Sequence, residues 1–407
     1  MRYSKTTRVE MQGDLVILIN TLSGEWYRVT AECFQFIDNV LNSDDDVLKK
    51  IDKLCSGKER RYFLRIFNEL EKREILVCEN QVMLPSMIGF SITHRCNLNC
   101  NHCSYNAGNI YEAEKRKDKD IIGILDKIIS LNPRMISITG GEPLVRKNIN
   151  EICNKLKNEY SGICNLMTNA VLINEENVDM LVNTFTSFDI SLDGIDEKSC
   201  QNIRGKGVFD QVIKSIIMLI DHGFDKSKIS LSMVLTTYNE KLVDKFEKLN
   251  NRLGTNPIYR SYSYSGRGLI NNLVNINNDD FSCINTEAMD LKNITALNCS
   301  AISEEIFIDC DGEIYPCPMH VDSKYSLGNV LNINNLKDYL KEEKYKNKKG
   351  FINFKHCCPE YVKKCNKCEY KYFCITCPLQ HDEYMQQDFF SSYCNIKKKH
   401  LSNIWRR

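Results

Sequence analysis

Cysteine placement constrains this chain more than any other feature of its sequence. Of twenty cysteines in 407 residues, thirteen lie in three groups, at 96–103, 299–317 and 357–394. The first ten residues lack the apolar segment of a secretory signal, so we expect a cytoplasmic protein whose thiols stay reduced. Clustered reduced cysteines bind metal or do redox work rather than form a disulfide scaffold. Seven scattered cysteines are predicted to be mostly small buried residues: Cys33, Cys55, Cys78, Cys153, Cys164, Cys200 and Cys283.

The rest of the composition limits the classes of partner. The 54 basic and 53 acidic residues leave a net charge of +1, which provides no electrostatic basis for binding nucleic acid. The sequence contains no run of about 18 apolar residues, so we expect no membrane span.

Hydrophobic patterning predicts three domains. Residues 1–83 begin with an alternating pair, DLVILIN and EWYRV, that predicts a hairpin, and three helical stretches follow from an N-cap at Thr30. This order is typical of a winged-helix-like domain. Residues 84–265 alternate strand and helix, which predicts an α/β fold: a partial TIM-like (β/α)6 barrel with its active site at the carboxyl ends of the strands. Residues 266–407 lose that alternation and are rich in cysteine, which predicts a bridging region and a metal-stabilised domain.

Six segments are the candidate barrel strands. In chain order they are MIGFSIT, RMISIT, CNLMT, SFDISLD, ISLSMVL and PIYRSYS. The segment THRCNLNCNHCSYNAG runs off the first of them and contains Cys96, Cys100 and Cys103. This spacing places three thiolates on one tight loop, which suits three irons of a 4Fe–4S cluster and leaves the fourth iron open. A zinc site completed by His94 or His102 is the alternative.

Glycines and polar residues follow the later strands at the same predicted edge. Gly140 and Gly141 allow close approach of the backbone to a ligand, and the Glu142 carboxylate can accept from an ammonium group. Ser191 and Asp193 alternate onto one face at the end of the fourth strand, where a carboxylate suits ribose hydroxyls. Two further candidates are Asn169 and Arg204. The competing interpretation of these two residues is a capped turn or a surface charge.

These motifs resemble the radical S-adenosylmethionine superfamily. The resemblance implies that the amino and carboxylate groups of S-adenosylmethionine chelate the open iron. An electron then breaks the sulfonium C–S bond, and the resulting 5′-deoxyadenosyl radical abstracts a hydrogen atom. It also implies contacts from Gly140–Glu142 to the methionine amino group, and Arg204 is a candidate partner of the carboxylate. Two departures are His102, where the family often has an aromatic residue, and Ala170, where it often has a glycine.

The later cysteines resemble the SPASM extension of radical enzymes that modify peptides. Cys299 and Cys317 bracket Gly312, and a C-x2-C-x5-C block and a lone cysteine follow. The resemblance implies one auxiliary 4Fe–4S cluster held by Cys365, Cys368, Cys374 and Cys394. It implies a second one held by Cys299, Cys317 and Cys377.

Three questions about this C-terminal iron–sulfur domain stay open in the sequence. Two residues separate Cys374 from Cys377, whereas the family has three. The fourth ligand of the second auxiliary cluster is either a substrate thiolate or one of three further cysteines, Cys310, Cys357 and Cys358. A structural zinc ribbon is the alternative to the first auxiliary cluster, with four thiolates from Cys365, Cys368, Cys374 and Cys377.

Residues 1–83 resemble the peptide-binding domain of pyrroloquinoline quinone biosynthesis and of ribosomal-peptide maturases. That resemblance implies a leader peptide bound as an added strand, and a capping or dimerisation domain is the alternative. Together the resemblances imply S-adenosylmethionine and three 4Fe–4S clusters as cofactors, and a precursor peptide and a flavodoxin- or ferredoxin-type reductant as partners. We expect thioether formation by a peptide maturase, with no catalytic residue assigned. Alternatives are carbon–carbon crosslinking, epimerisation, formylglycine formation on a sulfatase, and a non-catalytic metal-binding adaptor.

Overall fold

The computed structural model describes residues 1–43, 46–78, 84–108, 116–274, 290–319, 321–374, 377–386 and 390–406. The chain forms two compact units. The first comprises Met1–Met83, Ile276–Ser300 and Phe354–Arg407, and the second comprises Leu84–Asn275 and Ala301–Asn353. The predicted domain boundaries after residues 83 and 265 stay predictions.

The strands within the described residues form three sheets. In chain order they are β1 (Arg2–Tyr3), β2 (Thr7–Gln12), β3 (Leu15–Asn20), β4 (Trp26–Thr30), β5 (Leu76–Val77), β6 (Met87–Ser91), β7 (Met135–Thr139), β8 (Ile163–Thr168), β9 (Ser187–Ser191), β10 (Ile229–Val234), β11 (Asn256–Arg260), β12 (Glu305–Ile308), β13 (Glu313–Tyr315) and β14 (Gly328–Asn329).

The α-helices of the described residues fall before, between and after these strands. They are α1 (Ala31–Leu41), α2 (Val47–Leu54), α3 (Gly57–Lys72), α4 (Asp118–Ser130), α5 (Ile149–Glu159), α6 (Val178–Thr184), α7 (Glu197–Arg204), α8 (Val208–Asp221), α9 (Val243–Leu253), α10 (Gly266–Asn271), α11 (Leu336–Lys341), α12 (Lys349–Cys357), α13 (Lys371–Cys374), α14 (Pro378–Met385) and α15 (Phe390–His400).

The second unit is built on a nine-stranded sheet of order β11-β10-β9-β8-β7-β6-β12-β13-β14. Strands β6 to β11 are parallel neighbours in chain order, which confirms the six predicted strands. Helices connect them. In α4, for example, Ile121, Ile124, Leu125 and Ile128 are buried because their spacing places them on one helix face. The carboxyl ends of the parallel strands therefore meet at one edge, where ligand sites of such sheets form.

Strands β12 to β14 extend this sheet beyond β6, an extension that the sequence did not predict. β12 pairs parallel to β6, and β13 pairs antiparallel with both β12 and β14. The sequences EIFI and EIY are too short to show a clear period within a cysteine- and asparagine-rich region. Because β12 runs parallel to β6, the turn between β12 and β13 lies beside the carboxyl end of β6.

The first unit contains a three-stranded antiparallel sheet of order β2-β3-β4, which confirms the predicted hairpin and adds an unpredicted edge strand, β2. Every residue of β3 is buried because both of its faces are covered. Val16 and Leu18 belong to the core formed with helices α1 to α3. Ile17 and Ile19 pack on the opposite face with a second cluster that includes Phe373.

Smaller predictions have mixed outcomes. Thr30 caps α1 as predicted, because its hydroxyl accepts from the Cys33 N–H at 3.2 Å. Of the scattered cysteines, Cys78 is exposed, Cys283 lies outside the described residues, and five are buried as expected: Cys33, Cys55, Cys153, Cys164 and Cys200. Within the described part of the chain, no helix is both long and apolar enough to cross a membrane.

Candidate active site

The three-cysteine loop begins after β6, at the carboxyl edge of the main sheet. Cys100 is buried, and Cys96 and Cys103 are partly buried. Backbone N–H groups point at two of the sulfurs: Leu98 donates to Cys96 Sγ at 3.4 Å, and Ala107 donates to Cys103 Sγ at 3.4 Å. Hydrogen bonds of this kind stabilise the thiolate ligands of iron–sulfur clusters, so the loop geometry fits that ligand type.

The protonation and the separation of these sulfurs both bear on the metal. Burial raises the pKa of the Cys96 thiol to about 12, so a nearby metal cation is needed to keep this group ionised at neutral pH. A single zinc ion needs its thiolate sulfurs about 3.8 Å apart. Among the described residues, one group of three His, Cys, Asp or Glu side chains has its ligand atoms within 4.8 Å of one another. That group contains none of the three loop cysteines. The three loop sulfurs therefore do not all lie as close together as the ligands of a single zinc ion, which is compatible with a multi-iron cluster.

Gly140 and Gly141 pack against the backbone that leads into the cysteine loop. A Cβ atom on Gly140 would lie 2.6 Å from Thr93 O, and one on Gly141 would lie closer still to Arg95 O. Gly141 N–H donates to Thr93 O at 2.8 Å, and Glu142 N–H donates to Arg95 O at 2.8 Å. The close approach that the glycines permit is therefore made with the loop backbone, and their contact with a ligand stays a prediction.

Replacing Gly141 with alanine is expected to displace the cysteine loop and remove about four irons per chain. The new Cβ atom would meet the carbonyl oxygens of His94 and Arg95, which cannot move without moving Cys96. Gly123→Ala is the matched control, since a Cβ atom there meets nothing within 4 Å and a helix interior favours alanine. Iron analysis of the two anaerobically reconstituted variants checks this expectation, and equal iron contents would contradict it.

Glu142 is fully buried, and three protein groups donate to its carboxylate. Oε1 accepts from Leu144 N–H at 3.1 Å and from Thr168 Oγ1 at 2.7 Å, and Oε2 accepts from Asn169 N–H at 2.7 Å. Burial raises the pKa of Glu142, and these donors oppose the rise. A carboxylate accepts about four hydrogen bonds, and protein groups already make three of them. Glu142 therefore mainly joins the ends of β7 and β8. Its contact with the methionine amino group stays a prediction.

Asn169 follows β8 and lies against the first loop cysteine. Its Nδ2 atom donates to Asn97 Oδ1 at 2.9 Å and lies 3.7 Å from Cys96 Sγ. The next residue, Ala170, has a φ of +58°, a left-handed conformation that glycine adopts without steric cost. Although Ala170 replaces the glycine of the family pattern, its backbone keeps the left-handed conformation that glycine favours.

Asp193, Arg204 and His102 form a buried group beside Cys100. Arg204 Nε lies 2.6 Å from Asp193 Oδ2, and His102 Nε2 lies 3.1 Å from the same oxygen. Arg204 Nη1 lies 3.8 Å from Cys100 Sγ. The interpretation of Arg204 as a surface charge is therefore wrong. The contacts of Asp193 with a ribose and of Arg204 with a methionine carboxylate stay predictions.

The surrounding charges keep Asp193 ionised despite its complete burial. Burial alone would raise its pKa, but Arg204, His102 and the Val234 N–H together lower it to about 2. That N–H donates to Asp193 Oδ1 at 2.5 Å. Ser191, the other candidate on this strand end, is partly buried opposite Ser232 of β10. The site thus holds a matched ion pair next to one cysteine sulfur.

Three side chains in this site were not assigned from the sequence. In the sequence, His102 stands out only as a possible zinc ligand and as a departure from the family pattern, yet in the structure it contacts Asp193. Thr168 donates to Glu142, and Asn97 accepts from Asn169. The available signal was adjacency along the chain, because Thr168 precedes a predicted site residue and Asn97 follows one.

Four cysteines of the first unit line one pocket: Cys365, Cys368, Cys374 and Cys394. They are the four assigned to one auxiliary cluster, and Cys377, the fourth thiolate of the alternative zinc ribbon, is not among the residues that line this pocket. His381 of α14 shares the pocket, with Nε2 3.2 Å from Cys365 Sγ. Lys397 and Lys398 also line it, and their positive charges favour thiolates.

The other assigned cysteines are distributed over both units: Cys299 and Cys377 in the first, and Cys317 in the second. Burial raises the pKa of the Cys377 thiol, and the first N–H groups of α14 oppose that rise. Burial first, and then the nearby groups of Glu360 and Cys299, raise the pKa of the Cys358 thiol. Cys358 and Cys299 are therefore neighbours within the first unit. Of the fourth-ligand candidates, Cys358 therefore shares a unit and a neighbourhood with Cys299.

Two stretches of the chain match family profiles. Residues 90–249 match the Radical SAM superfamily, and residues 299–369 match SPASM, an iron-sulfur cluster-binding domain. The first stretch contains the three-cysteine loop and every predicted contact with S-adenosylmethionine. The second contains Cys299, Cys317, Cys365 and Cys368.

Curated proteins and solved structures show related chains. The mycofactocin maturase MftC of Mycolicibacterium smegmatis is 29% identical over 273 residues, which cover 61% of this chain and 68% of that protein. The subtilosin biosynthesis protein AlbA of Bacillus subtilis is 26% identical over 287 residues, which cover 62% and 59%. Streptococcus suis SuiB, solved with S-adenosylmethionine and with its precursor peptide SuiA, matches with TM-scores of 0.54 and 0.52 at 17% and 16% identity. Both matches cover 95% of this chain and 97% of SuiB, which shows a common fold.

Proposed function

Because the chain belongs to the radical SAM superfamily and carries a SPASM iron–sulfur domain, we propose that it matures a ribosomally made precursor peptide by forming thioether crosslinks. The observation that carries this proposal is the combination of the cysteine loop at 96–103 with a separate four-cysteine pocket around Cys365. Two relatives support a peptide substrate: MftC is a mycofactocin maturase, and AlbA is a protein of bacteriocin biosynthesis.

The cofactors are S-adenosylmethionine and iron–sulfur clusters, and we propose three 4Fe–4S clusters, or about twelve irons per chain. Cys96, Cys100 and Cys103 would hold the cluster that S-adenosylmethionine chelates. When bound, this pair supplies a 5′-deoxyadenosyl radical, which removes a hydrogen atom from the peptide. Arg204 favours a thiolate at Cys100, and the Asn169 amide does the same at Cys96.

The remaining predicted cofactor contacts are proposals of the same kind. Gly140–Glu142 would bind the methionine amino group, and Ser191 and Asp193 would face the ribose. The parallel strands β6 to β11 would form the partial (β/α)6 barrel that surrounds these groups. We place the reaction in the cytoplasm, where a flavodoxin- or ferredoxin-type protein would supply electrons.

The second auxiliary site accounts for the thioether. Its three assigned ligands are Cys299, Cys317 and Cys377. They leave one iron position for a further cysteine (Cys310, Cys357 or Cys358) or for a thiolate of the substrate. A substrate thiol at a metal is deprotonated and held in one place, which prepares it for bonding to carbon. For each crosslink, the 5′-deoxyadenosyl radical would take one hydrogen atom from carbon, the thiol would lose a proton, and an S–C bond would form. The one remaining electron would pass to an auxiliary cluster.

A precursor mass measurement tests this proposal. The reconstituted enzyme, with S-adenosylmethionine and a reductant, is incubated with each short peptide encoded beside its gene. We expect one of these peptides to lose the mass of two hydrogens per crosslink, and alkylation should show one fewer free thiol for each loss. A two-hydrogen loss with every thiol still free would replace the thioether by a carbon–carbon crosslink. Unchanged masses for all the peptides would overturn the proposal.

Residues 1–83 are proposed to be a winged-helix-like domain that binds the leader part of the precursor. Within the described residues, β2 and β4 form the edges of its three-stranded sheet, so each can accept an added strand. Val9 and Met11 on β2 are 36% and 61% exposed, which leaves apolar side chains for a partner to cover. SuiB, which has the same fold, was solved with its precursor peptide.

Leader binding is expected to slow amide exchange along one of these edge strands. Hydrogen exchange with and without the precursor should show protection at Thr7–Gln12 or at Trp26–Thr30, because strand addition engages the free N–H groups of an edge. Helix α9 in the second unit is the internal control and should be unaffected. Protection that spares both edge strands would contradict a leader-binding role for this sheet.

A further inference from the structure

Beside the cysteine loop lies a second group of side chains of the metal-ligating types, and the proposed function makes no use of it. A ring nitrogen of His94, the Cys310 sulfur and a carboxylate oxygen of Asp311 all lie within 4.8 Å of one another. His94 immediately follows the end of β6, and the other two residues lie in the turn between β12 and β13. Parallel pairing of β12 with β6 brings the two segments together. We propose that these three residues bind one zinc ion.

The donor set selects for zinc over the harder cations. Thiolate and imidazole ligands favour zinc, whereas magnesium and calcium prefer oxygen ligands alone. Bond lengths of about 2.0–2.3 Å place tetrahedral ligand atoms about 3.3–3.8 Å apart. His94 Nε2 lies 3.4 Å from Asp311 Oδ2, within that range. Three protein ligands leave the fourth tetrahedral position for a water molecule.

The turn that carries two of the ligands is held in place by its own hydrogen bonds. Asp309 Oδ1 accepts from the backbone N–H groups of Asp311 and Glu313, each at 2.9 Å. Asn329 Nδ2 donates to Asp311 O at 3.0 Å. Cys310 is only 3% exposed, so its sulfur is shielded from solvent while the His94 side chain, 42% exposed, leaves an entry path. A pre-formed site of this kind binds an ion with little loss of conformational entropy.

The neighbouring charges are compatible with an ion at this position. Arg116 Nε lies 3.7 Å from Asp311 Oδ1, and Arg116 Nη2 donates to Asp311 O at 3.2 Å. The arginine thus faces one carboxylate oxygen, and His94 faces the other. Zinc would tie the β12–β13 turn to the segment that leads into Cys96.

The proposal also assigns Cys310 a role that excludes it from the auxiliary clusters. A sulfur that ligates zinc beside His94 is not available as the fourth ligand of the site formed by Cys299, Cys317 and Cys377. Of the three candidates for that position, Cys357 and Cys358 then remain.

Metal analysis of the reconstituted full-length protein tests the site. The protein, loaded with its iron–sulfur clusters, is given one equivalent of zinc chloride and desalted, and zinc and iron are measured by mass spectrometry. We expect about one zinc per chain in the wild type. We expect less than about a tenth of that amount in Cys310→Ser and Asp311→Asn, with iron unchanged in both. Asp311→Asn is the second variant because its side chain is 29% exposed and tolerates substitution in a folded protein.

His222→Gln and Cys78→Ser are the matched controls. His222 lies between Asp179 and Glu175 without a thiol, and Cys78 is an exposed thiol without a histidine, so both variants should retain zinc. X-ray absorption at the zinc edge should show one sulfur at about 2.3 Å and nitrogen or oxygen ligands at about 2.0–2.1 Å. Zinc retained in Cys310→Ser, or a shell of four sulfurs, would overturn the proposal. A loss of iron in Cys310→Ser would also overturn it, because Cys310 would then be a cluster ligand.

Discussion

Replacing Cys100 with alanine is expected to abolish reductive cleavage of S-adenosylmethionine and to remove about four irons per chain. Cys100 is the most buried cysteine of the loop, and Arg204 Nη1, 3.8 Å from its sulfur, favours the thiolate that a cluster ligand must be. With two ligands left, the cluster has no stable attachment to the loop. Iron content and the yield of 5′-deoxyadenosine are the two readouts.

Cys164→Ala is the control for the loss of a buried thiol. Cys164 is 3% exposed in β8 of the same sheet, but it lies in the strand rather than at its carboxyl end. Its replacement should lower the stability of the protein slightly and leave iron and 5′-deoxyadenosine unchanged. The assignment of the loop would be refuted if Cys100→Ala kept full iron and full cleavage activity.

Replacing Arg204 with methionine is expected to destabilise the second unit by about 3 kcal/mol, because it leaves the fully buried Asp193 without its main cation. Native-state hydrogen exchange at the Val234 amide measures this loss directly, since that N–H donates to Asp193 Oδ1. Arg60→Met is the control. Arg60 forms an exposed pair with Asp52, and its replacement should produce no measurable change.

A double variant and a pH series make this expectation more specific. Asp193→Asn combined with Arg204→Met should recover much of the lost stability, because no charge is then left unpaired. In the wild type, the Asp193 pKa of about 2 means that its contribution is fully present above the ordinary carboxyl pKa and is lost only as pH falls through 2. In Arg204→Met, burial should raise that pKa, so the destabilisation should be smaller at pH 6 than at pH 8. A double variant no more stable than Arg204→Met would contradict the ion-pair explanation.

Most of the barrel strands that could be predicted from the sequence have at least one fully buried face. MIGFSIT and RMISIT are apolar runs bounded by turn residues, and helices of clear 3.6-residue period separate such runs. The strands that were not predicted are either exposed or very short. β2, TRVEMQ, is an exposed edge strand with charged residues, and β12 to β14 are two to four residues long. Their pairing depends on contacts between distant parts of the chain, which local patterns do not contain.

The candidate site divides in a similar way. Cysteine spacing is a local feature, so the loop at 96–103 and the four cysteines of the C-terminal pocket were found from the sequence. The partners of these residues are not local. Glu142 reaches Asn169 because β7 and β8 are neighbours, and His102 reaches Asp193 across the sheet edge. The side chains that hold the site together therefore required the structure.

Deuterium transfer is the most direct test of the central claim that this chain uses radical chemistry on a peptide. Each candidate precursor, deuterated at its carbon-bound positions, is incubated with the reconstituted enzyme, S-adenosylmethionine and a reductant. We predict that 5′-deoxyadenosine gains one deuterium in step with the mass loss of one precursor, and that Cys100→Ala shows neither change. Modified peptide accompanied by unlabelled 5′-deoxyadenosine, or 5′-deoxyadenosine that stays unlabelled with every precursor, would contradict the account.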